Sequence, residues 1–169
     1  LTAVFIQSEL SPGSIVINEI NYNSNDDHES GDWVELYNPG QMEIDISNWV
    51  MKDDDDQHSF IIPDGTFING DEYIIISQDL DLFYDNYPSN IPVIGPFDFG
   101  LGGGGDEVRI YDDVGALMDS VKYDDDEPWP IEADGEGPTL ELINPTYDNS
   151  LPEYWTSSQQ YGSPASQNT

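Results

Sequence analysis

Asp32-Trp33-Val34-Glu35-Leu36-Tyr37-Asn38-Pro39-Gly40 is the stretch on which the fold turns. Trp33 to Tyr37 is rich in residues that favour a pleated, half-buried surface, so it reads as a strand. Asn38-Pro39-Gly40 ends it, because proline fixes φ and glycine tolerates positive φ. Upstream, Ser14 to Tyr22 holds Ile15-Val16-Ile17-Asn18-Glu19-Ile20, a second strong strand, and Asn23 to Asp32 is a polar loop between the two. Downstream, Met42 to Ile46, Trp49 to Met51, Phe60-Ile61-Ile62 and Tyr73-Ile74-Ile75-Ile76 repeat the pattern. Pro63-Asp64-Gly65 and Asn69-Gly70-Asp71 mark turns between them.

The second half continues in the same way. Gln78 to Tyr87 carries Leu80, Phe83, Tyr84 and Tyr87 at offsets of three and four, which predicts one short helix stopped at Pro88. Leu101 to Gly105 is a glycine run, read as a connector. Val108 to Tyr111 and Leu117 to Tyr123 form a hairpin around Asp112-Asp113-Val114-Gly115. Leu117, Val121 and Tyr123 are expected on one face. Asp119, among them, is expected to accept backbone N–H groups. Thr139 to Ile143 is the last clear strand, and the polar end from Gly162 is expected to fray. Short strands with turn signals at this spacing predict an all-β sandwich with one short helix.

Charge bounds the function. There are 35 Asp plus Glu against 3 Lys plus Arg, a formal net charge of −32. So negative a surface repels phosphate backbones and anionic membranes, which argues against nucleic-acid binding. It attracts hard cations. The 37% hydrophobic content, with Trp33, Trp49, Trp129 and Trp155, argues against disorder. There is no cysteine, which excludes thiol catalysis and disulfides. No apolar run of about 20 residues is present, so no transmembrane helix is predicted. Residues 1–13 open with Leu1-Thr2-Ala3-Val4-Phe5-Ile6 and read as a leader, either a signal-peptide remnant or an extra strand.

The ordered segments resemble the lamin tail domain family, an immunoglobulin-like β-sandwich. The resemblance runs through Ile15 to Asn23, Asp32 to Gly40, Ile46-Ser47-Asn48-Trp49-Val50-Met51-Lys52-Asp53, Phe60 through Thr66, and Gly70-Asp71-Glu72-Tyr73. Gly105 to Asp112, Asp119 to Tyr123, Asp134 to Glu141 and Tyr161-Gly162-Ser163-Pro164 complete it. It places the sandwich at residues 14–164, with 165–169 as a polar tail. The style resembles bacterial members, which implies export and an extracellular or cell-surface role beside hydrolase or adhesion modules. The basic surface that animal members offer DNA is not matched here.

Catalysis is not predicted. His28 and His58 lie beside acidic loops without a nucleophile motif, and Leu101 to Asp106 lacks the lysine of a phosphate loop. Metal ligation is better served, since Ca²⁺ takes six to eight oxygens from flexible loops. Asp53-Asp54-Asp55-Asp56 follows one strand, and Asp124-Asp125-Asp126 with Glu127 follows another. Asp26 and Asp27 sit in the first polar loop. Any single run reads first as a solvated loop, but together they predict at least one calcium site. Glu132, Asp134 and Glu136 alternate like the opening of a calcium-hand loop, but Ile143 stands where the twelfth-position Glu belongs.

Trp129, Tyr154, Trp155 and Tyr161 are the candidate contact aromatics; core closure is their alternative. The resulting expectation is a noncatalytic extracellular interaction or assembly module, calcium-stabilised, whose partner is a protein or a cell-surface glycan. The alternative is a carbohydrate-binding accessory domain of an exported hydrolase. Trp33 and Trp49 are assigned to the core, and Glu19 and Glu35 to hydrogen-bond acceptance across the sandwich.

Overall fold

The computed structural model describes residues 14–169, so the expected leader lies outside the described residues. The two opening runs form strands β1 (Val16–Asn21) and β2 (Trp33–Tyr37), as predicted, and these pair antiparallel. β3 (Ile44–Asp45), β4 (Val50–Lys52), β5 (Phe60–Ile61), β6 (Phe67–Ile68) and β7 (Tyr73–Ser77) follow. Helix α1 (Leu80–Asn86) comes next, then β8 (Val93–Ile94), β9 (Asp106–Tyr111), β10 (Leu117–Tyr123), β11 (Leu140–Leu142) and β12 (Trp155–Ser157). They form a six-stranded sheet in the order β12-β11-β1-β2-β7-β8, a four-stranded sheet β10-β9-β4-β5, and a small β3-β6 pair. This is the predicted all-β sandwich.

The core lies between the two larger sheets. Ile20, Val34, Leu36, Ile74, Ile76, Leu140 and Leu142 face it from the first sheet, and Met51, Val108, Ile110, Val121 and Tyr123 from the second. Trp49 and Trp155 join the same cluster. The helix forms where its offsets placed it. Asp79 caps it, its carboxylate accepting from Asp81 N and Leu82 N at 3.0 Å each. It ends before Pro88, whose ring disfavours helical backbone at the preceding residue. Phe83 on its inner face packs with Trp33, Ile75 and Ile91 in a second, smaller cluster. The first sheet is therefore covered on both faces, and every residue of β1 and β2 is buried.

Three expectations are corrected. Leu117 is exposed, because the β9–β10 register shifts between Leu117 and Asp119 and turns its side chain off the face shared by Val121 and Tyr123. β6, β8 and β12 were not anticipated; β6 is two residues paired with β3. β8 is two residues beside prolines, pairing parallel with β7, and β12 is three residues following a 3₁₀ turn. Finally, the segment after Gly162 does not fray. It lies across the outer face of the six-stranded sheet, held by Ser163, Ala165, Asn168 and Thr169.

Candidate functional site

The acidic runs collect at strand ends. Asp53 and Asp54 follow β4, and Asp106 opens β9 beside them. One carboxylate oxygen from each lies within 4.8 Å of the others. Two of the three are buried, and backbone geometry holds them in place. Asp106 accepts from Asp54 N at 3.1 Å and Gly102 N at 2.7 Å, so the glycine run folds back onto this carboxylate. Asp53 accepts from Asp55 N at 2.9 Å and meets His58 Nδ1 at 2.6 Å. That carboxylate is the leading cause that raises the His58 pKa, against an opposing effect of desolvation. The Asp54 side chain is exposed, which makes it the open member of the group.

Asp55 and Asp56 are not part of this group. The Asp55 carboxylate accepts from Gln57 N at 2.8 Å. Asp56 turns to the chain's scarce cations, with Arg109 Nη1 at 3.0 Å and Lys52 Nζ at 3.9 Å. Arg109 also donates from Nε to the Asp53 carbonyl at 2.8 Å, which fixes the base of the loop. Sequence reasoning missed Asp106, because it lies 52 residues from Asp54 and only the β4–β9 pairing unites them.

A second group forms after β10, where Asp124, Asp125 and Asp126 also bring carboxylate oxygens within 4.8 Å of one another. Asp124 accepts from Asp126 N at 3.1 Å, an Asx turn that curls the run. Tyr22 lies beside it, stacked on Tyr123 at 4.5 Å. The Tyr22 hydroxyl is buried without a hydrogen-bond partner. Burial raises its pKa first, followed by the charges of Asp134, Asp125 and Asp124. Asp32 adds to the same end of the sandwich. It accepts from Leu101 N at 2.7 Å, and burial pushes its pKa up to about 6. Asp26 and Asp27 stand apart in an exposed 3₁₀ turn, Asp26–His28, and join neither group.

The contact aromatics fare differently. Trp129 and Trp155 are core residues with ring centroids 6.0 Å apart, so closure of the sandwich explains them. Tyr154 packs against the same core from its edge. Tyr161 is partly exposed and stacks on His28 at 3.9 Å. A shallow groove of about 560 Å³ runs beside the C-terminal segment, lined by Asp71, Tyr73, Tyr87, Asn90, Ser163 and Ala165 among others.

Glu19 and Glu35 are acceptors, as expected, but on the outer face of the sheet. Glu19 accepts from the Thr139 hydroxyl at 2.5 Å and Ser163 N at 3.1 Å; Glu35 accepts from Asn18 Nδ2 at 2.7 Å and Ala165 N at 2.6 Å. Asp119 likewise accepts from Ile17 N and Asn149 Nδ2 at 2.7 Å each, and so bridges the two sheets.

The two packed sheets, with a helix laid on one of them, define an immunoglobulin-like sandwich module. Residues 8–125 match the Lamin Tail Domain family, and the chain belongs to that family. It is thus an immunoglobulin-like interaction module; beyond the matched residues, β11 and β12 complete its first sheet and the C-terminal segment lies across that sheet's outer face. A comparison with curated proteins found no match. No helix among the described residues is long and apolar enough to cross a membrane.

Proposed function

We propose that this module is noncatalytic and extracellular, that it binds a protein or cell-surface glycan, and that calcium steadies its acidic end. The observation that carries the reading is the pairing of Asp53 and Asp54 with Asp106 across two loops. Two buried carboxylates and one open one converge on a single point, in a chain with a net charge of −32. Mutual repulsion there is relieved when a hard cation enters, and oxygen-only ligands suit Ca²⁺. The Asp124 to Asp126 group, with the unpartnered Tyr22 hydroxyl nearby, offers a second point of the same chemistry.

An extracellular setting supplies calcium at the concentration that such partly exposed sites need. The negative field disfavours nucleic acid as a partner. With Trp129 and Trp155 buried, sugar stacking loses its strongest candidates, so a protein partner is the better supported of the two.

Calorimetric titration of the chain with Ca²⁺ and with Mg²⁺, in chelator-stripped buffer, tests this. The expected result is Ca²⁺-selective heat, weakened at least about tenfold by Asp54→Asn, a loss of about 1.4 kcal/mol. Equal weak heats with both ions, unchanged in Asp54→Asn and Asp125→Asn, would reduce the acidity to a general surface property.

A further inference from the structure

Ile75, Glu35, Glu19 and Glu141 stand side by side on β7, β2, β1 and β11, each directly opposite the next. All four are fully buried. They share the outer face of the first sheet, the face opposite the core residues Val34, Ile20 and Leu140. What buries the three carboxylates is the C-terminal segment. Gly162 crosses Glu19 so closely that a Cβ there would collide with Glu19 Oε1, and its φ is +89°. Ser163 donates from N to Glu19 and from its hydroxyl to Glu141 Oε1 at 2.6 Å. Ala165 N donates to Glu35 Oε2, and Thr169 donates to Glu141 Oε2 from both N and hydroxyl, at 2.9 and 3.1 Å. Asn168 donates to the carbonyls of Asn18 and Leu142 at 2.9 Å each.

Composition fits this seat. Glu153 is the last acidic residue, and residues 154–169 carry none in a chain that otherwise abounds in them. A segment laid on three carboxylates cannot carry its own without repulsion.

Among the described residues, no ion pair includes a carboxylate of the row. β1 contributes Glu19, β2 Glu35 and β11 Glu141; Tyr73 on β7 and Tyr87 after α1 are the other titratable groups that feel these charges. The strap residues Gly162 to Thr169 have no titratable side chain, and His28, whose ring meets Tyr161 and Tyr87, has its Nε2 buried without a hydrogen-bond partner and its pKa lowered by that burial. Among the described residues, Lys52 and Arg109 pair with Asp56 and Glu107. A metal ion is poorly served, because the donors already named occupy every carboxylate oxygen of the row but one. That one is Glu19 Oε2, buried without a partner.

We propose that Glu19 carries a proton on Oε2, and that the proton-holding row makes residues 162–169 a releasable strap over the outer face of the sheet. With the proton in place, the strap's N–H and hydroxyl groups balance the remaining charge. Removing it, in the same alkaline range in which Glu35 also gives up its proton, builds up buried like charge along the row, which water must enter to solvate, and the strap lifts. Burial is the leading cause that raises the Glu19 pKa well above an ordinary glutamate, with the Glu35 charge next. Release opens the face around Trp33, Ile75 and Ile91, against which Ala165 packs.

Backbone amide exchange of the full chain, read by NMR at Ser163 and Ala165 and corrected for intrinsic rate, tests this. Protection of both amides is expected to fall at least about tenfold between about pH 6 and pH 9, while amides of Ile20 and Leu36 hold. Glu19→Gln places an amide NH₂ where the protonated oxygen stands, and is expected to make the fall clearly smaller over the same range, leaving only the part that Glu35 contributes. Protection that is independent of pH in the native chain, or that falls equally in Glu19→Gln, overturns the proposal. Should that variant not fold, the carboxyl ¹³C titration of Glu19 in the native chain decides. A midpoint above neutrality upholds the retained proton, and an ordinary glutamate midpoint refutes it.

Discussion

Glu19 and Glu35 stand directly opposite each other on β1 and β2, both fully buried, and no ion pair among the described residues includes either. Two acids so placed bind protons more tightly in the folded chain than in the unfolded one, and this gives stability a definite pH dependence.

Burial raises the Glu35 carboxyl from 4.5 to about 8, against the opposing hydrogen bonds from Asn18 and Ala165. A raised folded-state pKa means that the contribution is complete below the unfolded value and is lost as pH rises through the folded one. The window therefore runs from about pH 4.5 to pH 8. Denaturant unfolding in chelator is expected to show stability falling across it, by at most about 1.4 kcal/mol per pH unit for each proton held. Glu35→Gln is expected to flatten that slope. A slope unchanged in the variant would mean that other acids set it.

Asp119 joins the sheets, and the charge itself matters less than the acceptors. Asp119→Ala leaves Ile17 N without its partner at the β1 bulge and is expected to cost about 2–3 kcal/mol. Asp119→Asn keeps one acceptor oxygen and is expected to cost less than half of that. Equilibrium unfolding of the two variants in parallel checks the order.

Trp33 is fully buried, edge-on to Phe83 at 5.9 Å and to Tyr87 at 5.8 Å, with its indole N–H donated to Ser30 Oγ at 3.3 Å. Trp33→Ala is expected to cost about 3–5 kcal/mol, because the cavity lies between the sheet and α1 where neither can collapse freely. Trp33→Phe keeps most of the volume and is expected to cost clearly less in the same unfolding assay.

Much of this fold was legible in local pattern. Trp33 to Tyr37, the Asn38-Pro39-Gly40 turn, the Leu80 to Asn86 helix and the Asp112 to Gly115 hairpin each follow from a few neighbouring residues. What the sequence concealed depends on distant partners. β8 and β12 are too short to show a period, and each exists because a neighbouring strand offers it a ladder. The polar segment from Gly162 looked free because its partners, Glu19, Glu35 and Glu141, are recognisable as one row only once β1, β2 and β11 are adjacent. The candidate site divides in the same way. Asp53 and Asp54 were evident as a run, whereas Asp106 joined them only through β9, and Asp55 and Asp56 left for other donors.

Thermal unfolding in excess EDTA, in millimolar Ca²⁺ and in Mg²⁺ bears most directly on the calcium-steadied module. At a hundred-fold excess over Kd, binding to the native state adds about 2.7 kcal/mol. The predicted result is a Ca²⁺-selective rise in Tm on the order of 5–10 °C, diminished in Asp54→Asn. A rise of equal size with both ions, or none, would contradict it and leave the acidic loops as solvated surface.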